Sequence, residues 1–98
     1  KTEIEKKRIF NDAKLLVSSG VFSIVLECTE KSLSKKITSS VKVPTIGIGA
    51  SINCDGQILV TDDLLGLNST NYRFVKKYAN LTTVIDRAAR NFKQDVIK

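Results

Sequence analysis

The 98-residue chain has no histidine, methionine or tryptophan, and it contains one proline and two cysteines. Without histidine, neither a His-based catalytic triad nor a His-ligated metal site is available. Cys28 and Cys54 lack the C-x-x-C spacing of a redox or zinc site and are too few for a disulfide scaffold. We therefore expect reduced thiols in a cytoplasmic protein. No apolar run approaches the roughly 18 to 20 residues that span a bilayer, so we expect no membrane partner.

The charge is positive, with 16 Lys and Arg residues against 10 Asp and Glu residues and a formal net charge of +6. A basic domain can bind nucleic acid. Here the cations are scattered along the chain and do not form a concentrated basic face with aromatics that would stack bases. Solvated helix faces in a lysine-rich composition are the simpler interpretation, and we expect no nucleic-acid partner.

Apolar residues at helical spacing predict helices over residues 3–19 and 30–40, a short helix over 72–78, and a final helix. Thr2 with Glu5 matches a capping box at the start of the first helix, and Gly20 is a natural stop after it. The last helix carries an apolar stripe formed by Val84, Ile85, Ala88, Phe92 and Val96.

Short apolar runs predict strands over residues 22–26, 45–50 and 57–61, with Asp55-Gly56 as a turn. Strands that alternate with helices are typical of a parallel sheet in an α/β fold. Three such strands are too few to be stable with both faces covered, so the chain is predicted to be part of a larger sheet or barrel. Since the chain begins at Lys1 and contains no methionine, we interpret it as a fragment.

Side-chain alternation in the first strand separates two faces. Phe22, Ile24 and Leu26 share the face expected under helices, while Val25 and Glu27 share the other. Active sites of β/α barrels lie at the carboxyl ends of the strands, where Glu27 stands. It is a candidate catalytic residue, and a solvated loop position is the alternative.

The second predicted strand carries Gly47 and Gly49 at alternate positions. Glycine in a strand often marks the close approach of a ligand or of another backbone. Both glycines are therefore candidates for a pocket wall, with tight packing against a helix as the equal alternative. They do not form a dinucleotide fingerprint, because Ile52 stands where the third glycine is needed.

Five segments stand in series along the chain: Leu26-Glu27-Cys28, Ile37-Thr38, residues 43–50, residues 54–60 and residues 63–66. In their order and spacing they resemble the C-terminal part of the ketopantoate hydroxymethyltransferase family. The similarity continues through residues 74–78 into the last helix.

The resemblance implies that residues 1–98 are the C-terminal part of a single (β/α)8 TIM-barrel domain. The family transfers a hydroxymethyl group from 5,10-methylenetetrahydrofolate to 3-methyl-2-oxobutanoate, giving 2-dehydropantoate in pantothenate biosynthesis. By the same resemblance, Glu27 matches the general base that removes the C3 proton of the keto acid. A carboxylate suits that role in an apolar, partly desolvated setting, which Val25 on the same face would help to supply.

The family also uses Mg²⁺ to activate the keto acid and forms homo-oligomers, commonly decamers. Its metal ligands match earlier strands, so the resemblance implies no metal ligand in this chain, and Asp55, Asp62 and Asp63 are not recruited as substitutes. The fragment alone is therefore expected to be inactive.

The chain departs from the family pattern at three places. Thr29-Glu30 replaces a common Val-Pro, which changes the start of the next helix and adds a negative charge near Glu27. Ser51 replaces a usual glycine, which matters if that position needs a positive φ angle, and Asp62 replaces a common histidine. A stand-alone α/β binding module and a non-functional gene remnant remain alternatives to the enzyme.

Overall fold

The computed structural model describes residues 2–68 and 76–97 and has an α/β architecture, as predicted. The elements run in the order α1 (Glu3–Ser18), β1 (Ile24–Glu27), α2 (Lys31–Ser40), β2 (Thr45–Ile48), β3 (Gly56–Gln57), α3 (Thr61–Leu65) and α4 (Leu81–Ile97). The chain divides into two compact units, Lys1–Ile58 and Leu59–Lys98. Because the first unit contains the sheet, it also contains the candidate site.

In the described part of the chain, three parallel strands form one sheet in the order β1-β2-β3, which confirms the predicted parallel pairing. Ile24 pairs with Thr45 and Glu27 with Ile48, while Ile46 of β2 pairs with Gly56 of β3. Parallel strands are usually joined by a dozen or more residues that include a helix. The β2–β3 connection, residues 49–55, contains no helix.

Helices α1 and α2 belong to the core of the first unit. The buried cluster joins α1, β1 and α2 to the β2–β3 connection and consists of Ala13, Ile24, Leu26, Leu33, Ile37 and Cys54. The capping box at the start of α1 is confirmed, since Thr2 Oγ1 accepts from the Glu5 amide and Glu5 Oε2 accepts from the Thr2 amide. Gly20 follows the helix with a φ angle of 97°. Both ends of α1 are therefore where the sequence predicts them.

The first two strands have different ends from those predicted. β1 begins at Ile24 rather than at residue 22, and Phe22 is 90% exposed instead of packing under helices. Phe22 precedes the first residue of β1, so its side chain does not share the burial of the strand's covered face. β2 ends at Ile48 rather than at residue 50, because Gly49 adopts a φ angle of 61° and leaves the extended conformation.

The prediction for the third strand was also wrong in extent. β3 covers only Gly56–Gln57, so Gly56 belongs to the strand rather than to a turn. The Ile58 amide still donates to the Gly47 carbonyl at 3.0 Å. β2 offers no extended partner beyond Ile48, and the chain then turns into α3 at Thr61.

The second unit contains α3 and α4. Gly66 ends α3 in a left-handed conformation with a φ angle of 70°, and its carbonyl accepts from Thr82 Oγ1 of α4 at 2.6 Å. The predicted final helix is confirmed, and the members of its apolar stripe are all exposed. For the short helix predicted over 72–78, residues 72–75 lie outside the described residues, and residues 76–78 are not helical.

Candidate active site

The two faces of β1 and β2 have different surroundings. Residues paired across the strands point to the same side, so Ile24, Leu26 and Thr45 share the face that lies under the helices. Val25 and Glu27 point to the opposite face, where Val25 is 58% exposed and Glu27 is also exposed. The second face combines apolar side chains with one carboxylate at its carboxyl edge.

Glu27 is the last residue of β1 and pairs in register with Ile48, the last residue of β2. Among the hydrogen bonds and ion pairs of residues 2–68 and 76–97, none engages the Glu27 carboxylate. An unengaged carboxylate can accept a proton from a bound molecule. The structure therefore places Glu27 at the strand edge where the sequence predicts it.

The residue after Glu27 has an unusual backbone. Cys28 has a φ angle of 51°, and it is the sole non-glycine residue with a positive φ in the described ranges. Its amide donates to the Ile48 carbonyl at 2.9 Å. A side chain in this conformation carries a cost that surrounding contacts must offset, and such residues concentrate at functional sites. No sequence signal predicts this conformation, since cysteine has no special preference for the left-handed region.

Residues 28–30, here called the strand-end segment, are tied to their surroundings by side-chain hydrogen bonds. Thr29 is buried, and its hydroxyl donates to the Glu27 carbonyl at 3.4 Å. The buried Ser34 hydroxyl of α2 donates to the Thr29 carbonyl at 3.2 Å. The segment is thus connected to the first turn of α2.

Glu30 pairs with α1. Its Oε2 lies 2.5 Å from Lys6 Nζ, and its Oε1 accepts from the Ser32 hydroxyl. The hydrogen bond from Lys6, followed by that from Ser32, lowers the pKa of Glu30 to about 2. The same hydrogen bond raises the pKa of Lys6. The negative charge expected near Glu27 is therefore matched by a cation.

The two candidate wall glycines lie at different places. Gly47 faces the core, where an added Cβ would lie 3.0 Å from Cys54 Sγ and 3.2 Å from Gln57 Oε1. Gly49 follows directly on Ile48, the register partner of Glu27, and turns the chain away from the sheet. Both glycines adjoin Ile48, the register partner of Glu27, and their role in a pocket wall stays a prediction.

The aspartates in the matched segments have partners within the chain. Asp55 Oδ2 accepts from the Thr45 amide at 2.9 Å, and Asp63 Oδ1 accepts from the Asn68 side chain at 2.8 Å. Asp62 lies exposed in the first turn of α3. Over residues 2–68 and 76–97, no group of three or more Cys, Asp or Glu side chains is placed to hold a metal ion.

Ser51 does not need the conformation that glycine would supply, since it has no positive φ. It is buried, and its hydroxyl accepts from the Asn53 amide at 3.1 Å. Its carbonyl accepts from the Gln57 side chain at 2.7 Å. The serine therefore stabilises the β2–β3 connection.

The folded chain places the ring of Phe10 close to two lysines. Phe10 lies in a groove between α1 and α2, with Lys36 Nζ 4.5 Å and Lys14 Nζ 5.6 Å from the ring centroid. Ammonium groups attract the ring face through its quadrupole. Both lysines therefore contact the Phe10 ring, one from α1 itself and one from α2.

None of the described helices is long and apolar enough to cross a membrane. The model of the family described as ketopantoate hydroxymethyltransferase matches residues 1–98, the full length of the sequence. The chain belongs to this family.

Individual relatives agree with the family model. The chain is 64% identical over 94 residues to the 3-methyl-2-oxobutanoate hydroxymethyltransferase of Pelagibacter ubique, covering 96% of this chain and 37% of the relative. It is 46% identical over 97 residues to the enzyme of the same name from Pelodictyon phaeoclathratiforme, covering 98% of this chain and 35% of the relative. The chain matches the C-terminal part of these curated relatives and spans about a third of their length.

Proposed function

We propose that the chain forms the last strands and helices of a (β/α)8 barrel, residues 1–98 being part of one domain. The full-length protein would act in pantothenate biosynthesis. It would transfer a hydroxymethyl group from 5,10-methylenetetrahydrofolate to 3-methyl-2-oxobutanoate, and the product would be 2-dehydropantoate. The parallel sheet with helices on one face supports the barrel, and the family match supports the reaction.

The observation that carries the proposal is the placement of Glu27. It ends β1 at the carboxyl edge of a parallel sheet, on the face that the helices do not cover. Barrel enzymes carry their catalytic residues at this edge. Glu27 is proposed to remove the C3 proton of the keto acid, and the resulting enolate attacks the one-carbon unit.

The other parts of the site are proposed from the family. Gly49, next to the register partner of Glu27, and Gly47 are proposed to contribute to the pocket wall. The described residues do not fit a Mg²⁺ site, because Asp55 and Asp63 accept hydrogen bonds elsewhere and no three carboxylates or thiols lie together. The ligands of that ion are proposed to lie in the rest of the protein.

The proposed setting is a cytoplasmic enzyme that assembles as a homo-oligomer. The 98 residues alone are proposed to be inactive, since the metal-binding part of the domain is needed to activate the substrate. Val25 and Glu27 would then be covered by the remaining strands or by the substrate.

A chimera tests the proposal. The 98 residues replace the corresponding C-terminal part of the Pelagibacter ubique relative, to which they are 64% identical. We expect the chimera to transfer the hydroxymethyl group and to exchange the C3 hydrogen of 3-methyl-2-oxobutanoate with deuterium from the solvent. The isolated chain should do neither.

Glu27→Gln in the chimera should slow C3 exchange by ~10² to 10⁴-fold, since it keeps size and removes the base. Glu3→Gln is the matched control, because the Glu3 side chain is 92% exposed on α1. Exchange by Glu27→Gln at the rate of the unaltered chimera would assign the base to another residue.

A further inference from the structure

We propose that Lys6 and Glu30 are positioning residues that hold the strand-end segment, residues 28–30, and through it the Glu27 carboxylate. The inference rests on the proposed function of Glu27. It assigns a role to an ion pair between α1 and the start of α2, which no motif in the sequence marks.

The pair reaches from α1 to the segment that follows β1. Lys6 lies on α1, while Glu30 stands immediately before α2 and three positions after Glu27. Both carboxylate oxygens of Glu30 are engaged, Oε2 by Lys6 Nζ at 2.5 Å and Oε1 by the Ser32 hydroxyl. A carboxylate held at both oxygens has little freedom to change its side-chain conformation.

The Glu30 side chain makes contacts that are unusual for the residue at a helix N-cap. A residue at the N-cap of a helix commonly accepts a hydrogen bond from an amide of the first turn. Glu30 is the N-cap of α2, yet its side chain makes no such bond and extends to Lys6 of α1 instead. The interaction therefore joins two elements rather than stabilising the end of one.

The strand-end segment contains an unfavourable backbone conformation that surrounding contacts must stabilise. Cys28 has a positive φ of 51°, which is unfavourable for a residue with a Cβ. The Cys28 amide is bonded to Ile48, and the Thr29 carbonyl is bonded to Ser34. Glu30 adds the attachment to α1, so the residues after Glu27 are fixed to β2, α2 and α1 in turn. Because Glu27 directly precedes them, its backbone orientation depends on this set of contacts.

The chimera tests the role with matched variants. Glu30→Gln and Lys6→Gln each remove one charge of the pair, whereas Lys6→Arg keeps a cation. Glu3→Gln removes the other carboxylate that contacts Lys6, at 3.5 Å, but Glu3 belongs to α1 itself and does not reach the strand-end segment. Ala13→Gly destabilises α1 at a buried position without touching the pair.

We expect Glu30→Gln and Lys6→Gln each to slow C3 deuterium exchange about tenfold or more, because small misplacements of a catalytic group can cost ~10²-fold. The KM for 3-methyl-2-oxobutanoate should stay within about twofold. The double variant should be no slower than either single variant, since both remove the same interaction. Lys6→Arg should retain most of the rate, and Glu3→Gln all of it.

Unchanged exchange in both Glu30→Gln and Lys6→Gln would overturn the inference. So would an equal loss of exchange in Ala13→Gly at the same fall in melting temperature, because the pair would then act only through stability. If Glu30→Gln does not fold, Lys6→Gln and Lys6→Arg decide between the same outcomes. Normal exchange in Glu27→Gln would instead refute the proposed base, which separates the two failures.

Discussion

One face of β1 and β2 is completed by this chain, and the other is not. On the first, Leu26, Thr45 and Ile37 of α2 are at most 5% exposed. On the second, Val25 is 58% exposed and Glu27 is also exposed, while Ile48 of β2 is buried. The covered face gains burial within the chain, whereas the uncovered face carries the proposed chemistry. The contrast shows which contacts the 98 residues supply; in the proposed barrel, the remaining strands would supply the others.

The largest effect on stability is expected on the covered face. Ile37→Ala removes a side chain that is fully buried beneath β1 and β2. Its loss should lower the unfolding free energy of the chimera by ~2–5 kcal/mol, since a cavity is left in the core. Urea denaturation followed by circular dichroism measures the change.

Lys35→Ala is the control for this substitution, because Lys35 lies on the exposed side of α2. It should change the unfolding free energy by less than about 0.5 kcal/mol. A similar loss in both variants would mean that the helix, and not its buried face, limits stability.

A smaller loss of unfolding free energy is expected from a substitution where β2 packs against the β2–β3 connection. Gly47→Ala brings a Cβ to 3.0 Å from Cys54 Sγ and 3.3 Å from Cys54 Cβ, so the core must adjust. We expect a loss of about 1–3 kcal/mol from overpacking. Cys54→Ala should relieve the contact, so the double variant should lose less stability than the sum of the two single variants.

The same glycine variant sharpens the distinction between the two faces. Packing against Cys54 predicts a lower unfolding free energy with the KM for the keto acid unchanged. A higher KM for the keto acid would support the proposed place of Gly47 in the pocket wall.

The smallest effect concerns the ion pair at the strand edge. The pKa of Glu30 is about 2 in the folded protein, below its ordinary value of 4.5. Its contribution to stability is therefore fully present above pH 4.5 and lost as the pH falls towards 2. Because the pKa of Lys6 is raised above 10.5, its contribution is present below that pH and lost at higher pH.

Melting temperatures between pH 5 and pH 2 test this dependence. The melting temperature of the Glu30→Gln chimera should fall less steeply with acidification than that of the unaltered chimera. Added salt should reduce this difference, because the ion pair is partly exposed. Identical slopes in the two proteins would show that the pair does not form in solution.

Helices were predicted well from the sequence because each long helix has a clear period of apolar residues or a distinct end signal. Thr2, Glu5 and Gly20 define the ends of α1, and Leu33 and Ile37 mark the buried side of α2. The parallel pairing followed from the alternation of helices and strands. These features depend on local spacing, which a single sequence contains.

Strand ends and α3 were not predicted, because they depend on partners. The apolar run at residues 58–60 has the composition of a strand, but β2 stops at Ile48 and leaves residues 59 and 60 without an extended neighbour. Assigning Thr61 to that strand hid α3, although two acidic residues in its first turn and Gly66 at its end are helix signals.

In the candidate site, Glu27 could be predicted because its place follows from alternation along one strand. The Lys6–Glu30 pair could not, since it joins residues far apart in sequence and the chain offers many other cations. The positive φ of Cys28 is likewise set by tertiary contacts. The candidate catalytic residue can thus be identified from the sequence, but the contacts that stabilise the backbone beside it cannot.

The helix-free connection between β2 and β3 has a consequence for how the sheet assembles. Ile46 and Gly56 are separated by about half the sequence distance that separates Val25 from Ile46. Each doubling of a closed loop costs about 0.6 kcal/mol of chain entropy, so β3 reaches its partner through the shorter search. Local pairings of this kind form early in folding. We therefore expect the parallel pair of β2 and β3 to form first and β1 to be added later, even though β1 is made first by the ribosome.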